Sequence, residues 1–155
     1  MTSANWLDGT EFGYYVVCPA RHVQEWAGTE AFEELSAYIN KVLLPCHEEV
    51  LTIGGEALPV TYLPESMTFV QNVGSEESCD LRREVERAMA AQGWQDAFEI
   101  VLGGPYALID GLVPGADTEE DYMLRIEIPH GRYRVQSLYV NRPVGEFYLH
   151  RLQAV

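Results

Sequence analysis

Basic residues are scarce in this chain of 155: one lysine, Lys41, and nine arginines stand against 24 aspartates and glutamates, for a formal net charge of −14. A phosphate backbone or an anionic membrane surface would be repelled by such a field, so direct nucleic-acid binding and membrane association are both disfavoured. Cysteine is scarce as well. Cys18, Cys46 and Cys79 are odd in number, widely spaced and without a Cys-x-x-Cys pair, which argues against a disulfide framework or a zinc ribbon and predicts free thiols in a reducing compartment. No apolar run approaches the roughly 20 residues that span a bilayer. The stretch from Met1 to Thr10 has neither the basic region nor the apolar core of a signal peptide, so a cytoplasmic location is expected. Catalytic signatures are missing too: there is no Gly-x-Ser-x-Gly elbow, phosphate-binding loop, dinucleotide fingerprint or His-Glu-x-x-His. The expectation is a protein that is not an enzyme, with no catalytic residue, no metal and no cofactor.

What remains is ordinary globular material, 47% hydrophobic and 22% charged, enough to rule against global disorder. The pattern predicts an α+β fold, a mainly antiparallel β-sheet with two amphipathic helices packed on it, forming one domain over residues 1–155. Residues 1–12 read as a loosely ordered terminus with Trp6 as an anchor. Gly13 to Pro19 is continuous in apolar and aromatic residues and predicts a buried strand stopped by Pro19. A first helix is predicted from Thr29, with Phe32, Leu35, Ile39, Val42 and Leu43 as its apolar stripe and Pro45 as its end. Val50–Ile53 and Ala57–Tyr62 look like a hairpin around Gly54-Gly55, with Pro59 and Pro64 demoting the second member to an edge. Met67–Val73 is a further strand. A second helix is expected from Ser75 through Leu81, Val85, Ala88 and Met89 to Gly93, with Trp94 packed at its end.

The last third is the most regular. Ala97–Leu102 and Tyr106–Ile109 read as strands separated by Gly103-Gly104-Pro105. Leu124, Ile126 and Ile128, then Tyr133, Val135 and Tyr139, alternate with polar residues at period 2. Pro129-His130-Gly131 supplies a predicted hairpin turn between these runs, and Phe147–Ala154 is the third strand.

Charge is uneven along the chain: residues 1–80 hold 13 acids against Arg21 and Lys41, while residues 81–155 hold 11 against eight arginines. An acidic field attracts a basic partner and steers its approach. The loop Gly111–Asp121 is long for a compact domain and therefore exposed or functional; its acids lack the spacing and central glycine of a calcium loop. Nine tyrosines and three tryptophans include aromatics beside acids, such as Trp26 and Tyr122, a combination suited to an arginine- or lysine-rich surface. The candidate partner-binding residues are accordingly Glu48, Glu49, Asp117, Glu119, Glu120, Asp121, Tyr122 and Trp26. Cys46-His47-Glu48-Glu49 is the densest run of metal-ligating side chains, but neighbours in sequence rarely converge on one ion, and a site there would need His22, His130 or His150 to join. The same objection applies to a Cys46–His47 nucleophile pair.

A small, acidic domain without catalytic motifs resembles the bacterial immunity proteins that neutralise polymorphic or secretion-delivered toxins. The closing pattern Ile-Glu-Ile-Pro-His-Gly-Arg-Tyr-Arg-Val-Gln, then Phe-Tyr-Leu-His-Arg-Leu, is similar to the last strands of small bacterial β-rich proteins, some of which sit beside toxins. The resemblance implies a stoichiometric inhibitor that occludes a basic toxin or effector enzyme with its carboxylates, and it transfers no individual residue. Two other functions compete with it: a small-molecule-binding or sensory domain built on Trp94–Tyr106, and a hydrolase with a metal near Cys46 and His47.

Overall fold

The computed structural model describes residues 6–7, 14–28, 38–54 and 58–155. Eight strands form one sheet: β1 (Tyr15–Pro19), β2 (Ile39–Leu43), β3 (Glu49–Ile53), β4 (Val60–Leu63), β5 (Thr68–Ser75), β6 (Gln95–Asp110), β7 (Leu124–Arg142) and β8 (Gly145–Ala154). Their order across the sheet is β2-β3-β1-β6-β7-β8-β5-β4, and every pair is antiparallel.

Alternation of side chains along the strands sorts the apolar residues into layers. Tyr15 and Val17 of β1, Ile100, Leu102, Tyr106 and Leu108 of β6, and Phe69 of β5 share one core with Val60 and Tyr62 of the far edge strand. The sheet therefore curls until its two ends face each other over a common interior. Gln71 Nε2 on β5 donates to the Gly54 carbonyl beyond β3 at 3.0 Å, a polar tie between the two ends. The reverse face is covered twice. At the β1 end Val16, Cys18, Ala107 and Ile109 pack with Val23 and Trp26. At the other end Val70, Phe147 and Leu149 pack with Val85 and Ala88 of the helix α1 (Leu81–Met89). Asp80 caps α1, accepting from the Arg83 amide at 3.3 Å, and Trp94 Nε1 donates to Ala88 O at 2.9 Å where the helix ends.

Several expectations are corrected. The first predicted helix does not extend to Leu43: residues 29–37 lie outside the described residues, and Ile39–Leu43 is strand β2, paired Ile39 to Ile53 and Leu43 to Glu49. Ile39 enters the main core while Val42 packs on the reverse face, the odd–even split that a strand imposes and a helix would not. One α-helix is thus present among the described residues, α1, where two were expected. Next, β3 and the Ala57–Tyr62 segment do not form a hairpin: β3 pairs with β1 and β2, and β4 pairs with β5 at the opposite edge. The prolines did mark an edge strand.

Finally, Pro129-His130-Gly131 is not a turn. Strand β7 runs unbroken through it, and the hairpin turn lies at residues 143–144, between Arg142 and Gly145. Opposite this segment β6 also runs through Gly103-Gly104-Pro105, and the register slips between Leu102/Gly131 and Gly104/Ile128, a bulge. The bulge absorbs Pro129, which cannot donate to the ladder. Gly103 is required here because a Cβ would fall on the His130 ring. In the amino-terminal stretch, Leu7 rather than Trp6 is the buried residue, bridged to Val60 at the β4 edge. No helix among the described residues is long and apolar enough to cross a membrane.

Candidate functional site

The segment between β6 and β7 is tied to the fold by backbone geometry. It contains two 3-10 turns, Gly115–Asp117 and Glu120–Tyr122, and it packs against a third, Ala20–Glu25, that follows β1. Trp26 holds the two segments together: its Nε1 donates to Gly111 O at 2.8 Å, and the Gly115 amide donates to Trp26 O at 2.8 Å. Gly115 sits so close to this turn that a Cβ would land on the Val23 carbonyl. Trp26 is 1% exposed, so the expectation that it faces a partner is corrected. A large amphipathic ring with one donor serves better here as a buried strut than as a contact.

Held in this way, the segment forms one wall of a cleft of ≈ 350 Å³ lined by Leu7, Tyr15, Asp110, Val113, Asp117, Thr118, Glu119 and Tyr122. Its floor is apolar, since Tyr15 is buried with its hydroxyl donating to Leu7 O at 3.1 Å. Its rim is acidic. Asp110 is held in place by accepting from the Leu112 amide at 3.0 Å. Asp117 and Glu119 are exposed, and no cation among the described residues pairs with either. Tyr122, at 58% exposure, presents most of its ring to solvent. Three of the predicted contacts, Asp117, Glu119 and Tyr122, therefore converge on one concave surface. Asp121 is exposed beside them. Glu120 is committed elsewhere: both its oxygens are taken by Arg125, whose guanidinium is held above its ordinary range by that carboxylate.

Glu48 and Glu49 lie apart from this cleft and line a second one of ≈ 470 Å³ with Arg21, Leu43, His47, Val101, Tyr106 and His130. Both are half-buried and internally paired. Glu48 meets Arg21 and His22; Glu49 lies 3.6 Å from Lys41 Nζ and accepts from the Val101 amide at 2.8 Å. Their charge is spent largely within the fold. Beneath them, ligating atoms of His22, Glu25 and Cys46 lie within 4.8 Å of one another. His22 is the imidazole that reaches Cys46; His47, its sequence neighbour, points to the second cleft.

A family profile described as immunity protein 21 matches residues 5–145. The chain belongs to this family of immunity proteins. No curated protein and no solved structure matches it. Membership makes a cognate toxin the partner to look for, as the sequence resemblance implied.

Sequence reasoning missed Asp110, Val113 and Thr118 as cleft residues. Asp110-Gly111 was legible only as a turn dipeptide, and the depth of the cleft comes from Leu7 and Tyr15, about a hundred residues away in the chain. It also missed an exposed tyrosine stack, Tyr38 on Tyr148 at 4.5 Å and Tyr148 on Tyr139 at 5.0 Å between ring centroids. The β7–β8 register sets Tyr139 opposite Tyr148, and the approach of the β2 end of the sheet to β8 adds Tyr38.

Proposed function

We propose that this immunity protein neutralises its toxin by stoichiometric occlusion and without catalysis, docking a basic face of the toxin against the cleft between β1 and the 111–123 segment. The observation that supports this reading is the unpaired carboxylate rim of Asp117 and Glu119 around an apolar floor, with Tyr122 exposed at its edge and Asp121 exposed next to it in the chain. A lysine or arginine of the partner could bury its stem against Tyr15 and Tyr122 while its charge meets the rim. Exposed charges at a rim act mainly on the association rate, which steering raises about 10- to 1,000-fold at low salt. The reading puts the protein in the cytoplasm, where it would meet the toxin before or after delivery.

The small-molecule alternative has less support. Trp94 is tied into the end of α1 and stacks on Arg151 at 4.1 Å. Roughly 35 Å of strand, at 3.3 Å per residue, separates it from Tyr106, so the segment offers no single pocket.

The test begins with affinity purification of the tagged chain from its own source at low and at high salt. The expected result is one basic protein in stoichiometric amount, released by salt and inhibited by the chain. Binding kinetics with Asp117, Glu119 and Asp121 reversed to Lys should then show an association rate at least tenfold lower, following the steering range above. An unchanged rate would remove this cleft from the interface. Recovery of the chain alone under both conditions would overturn the occlusion reading itself.

A further inference from the structure

We propose that the junction between the Ala20–Glu25 turn and the β2–β3 turn is a binding site for a divalent transition metal of the zinc class, with His22 Nδ1, Glu25 and Cys46 as ligands and Glu48 orienting the imidazole. Nitrogen, oxygen and sulfur donors reach one point from two separate segments, all within 4.8 Å of one another. In a tetrahedral zinc site, bonds of 2.0–2.3 Å place donor atoms roughly 3.3–3.8 Å apart. Closure therefore needs a shift of about 1 Å. The side chains involved are only partly buried and free to make it, since His22 and Glu25 are 23% and 34% exposed. A thiolate with an imidazole and one carboxylate favours zinc or cobalt over magnesium or calcium, which take all-oxygen shells.

Donor bookkeeping around His22 points the same way. Its Nδ1 meets Glu25, and its Nε2 lies 3.2 Å from Glu48 Oε2. A neutral imidazole has one N–H and can donate to only one of two flanking carboxylates, so both are satisfied either by a second proton or by a cation at one nitrogen. A metal at Nδ1 resolves the conflict: the lone pair binds the ion alongside the Glu25 carboxylate, and the N–H at Nε2 is left for Glu48. This is the carboxylate–histidine–metal arrangement in which a second carboxylate fixes ring orientation. Glu48 is prepared for that task. Arg21 holds its other oxygen, while Oε2 is shut off from solvent without a hydrogen bond, because the approach of Nε2 is not aligned with it. A small rotation of the ring would complete the bond.

The turn geometry presents Cys46. Pro45 follows Leu44, the His47 amide donates to Leu44 O at 2.8 Å, and His47 takes φ 68°, a left-handed position. The thiol is backed by the apolar cluster of Cys18, Trp26 and Val50. Three protein ligands leave a fourth position open to solvent or to a partner's side chain. An ion here would clasp the β2–β3 turn to the same 3-10 turn that backs the acidic segment at Gly115.

The probe is cobalt(II), titrated into the full chain under reducing, chelator-free conditions. The expected result is one equivalent bound, with thiolate-to-cobalt absorption in the near ultraviolet, tetrahedral bands in the visible, and displacement of both by zinc. Cys46→Ser should abolish the thiolate band, and Cys79→Ser should leave it intact. Glu48→Gln should keep the bands while weakening affinity about 10- to 100-fold. The wild-type spectrum decides independently of how the variants fold: no thiolate–cobalt absorption would overturn the proposal. A band that survives in a folded Cys46→Ser protein would overturn it equally, by assigning the thiolate elsewhere.

Discussion

At the scale of single residues, two buried rings have consequences that burial alone does not convey. Trp26 contributes one hydrogen bond across 85 residues, to Gly111 O. Trp26→Phe keeps much of the apolar area but leaves that carbonyl without its donor, a loss of about 1–2 kcal/mol. It should also speed hydrogen exchange in residues 111–118, read by mass spectrometry. Unchanged exchange there would dispose of the strut role. His150 is fully enclosed, with Nδ1 2.7 Å from Ser137 Oγ and Nε2 2.8 Å from Gln71 Oε1. Since Gln71 spends its amide donor on Gly54 O, its oxygen accepts from His150 Nε2–H, and Nδ1 accepts from the serine hydroxyl. Burial pushes the His150 pKa down from 6.5 to about 3. Between those values the unfolded chain binds a proton that the folded one refuses. Stability is therefore retained above about pH 6.5 and falls as pH drops toward 3, by about 1.4 kcal/mol per unit from this residue. Denaturant titrations at pH 7, 6, 5 and 4 should show that slope reduced in His150→Gln relative to wild type. Parallel slopes would assign the acid sensitivity to the carboxylates.

At the scale of elements, the long β6–β7 pair depends on one irregularity. Gly103 lies under the His130 ring, so Gly103→Ala must push the imidazole off the bulge, at about 1–3 kcal/mol for an overpacked contact. Removing the obstacle in Gly103→Ala/His130→Ala should recover most of the loss, a coupling that thermal denaturation of the four-member cycle would measure. Additive losses would mean the backbone, not the ring, resists the methyl. The same element explains why a turn was expected. A proline followed at +2 by glycine is compatible with a hairpin turn and with a bulge alike, and only the opposite strand distinguishes them. Helix α1 was legible because its apolar positions Leu81, Val85, Ala88 and Met89 are local, but its start is at Leu81 with Asp80 as the cap, not at Ser75, which ends β5. Strand β2 was not. Ile39, Val42 and Leu43 fit helical spacing, and only the pairing with β3, across the turn at residues 44–48, decides for a strand.

At the scale of the whole molecule, a net charge of −14 sets opposite responses to salt. Self-repulsion weakens as the Debye length falls from roughly 10 Å at 0.1 M to 3 Å at 1 M. The isolated protein should therefore melt at higher temperature in 0.5 M NaCl than in 0.05 M, while under the proposed acidic-cleft docking association with its toxin should slow. A calorimetric scan and a kinetic titration check the two halves separately. A melting temperature that falls with salt would show that internal pairs such as Glu48–Arg21 and Glu49–Lys41 outweigh the repulsion.

The sequence by itself determined the mainly antiparallel sheet, the acidic field, α1 and the resemblance to immunity proteins, because period-2 alternation, capping and charge balance are properties of neighbours or of the total. It also marked the 111–121 loop and its acids. Tertiary structure alone decided which of those acids are free and which are neutralised, that Trp26 is a strut, and that His22 rather than His47 meets Cys46. These outcomes depend on the strand order β2-β3-β1-β6-β7-β8-β5-β4, which places residues far apart in the chain side by side. Such contacts form at a loop-closure cost that grows only slowly with separation, so no short stretch of sequence records them.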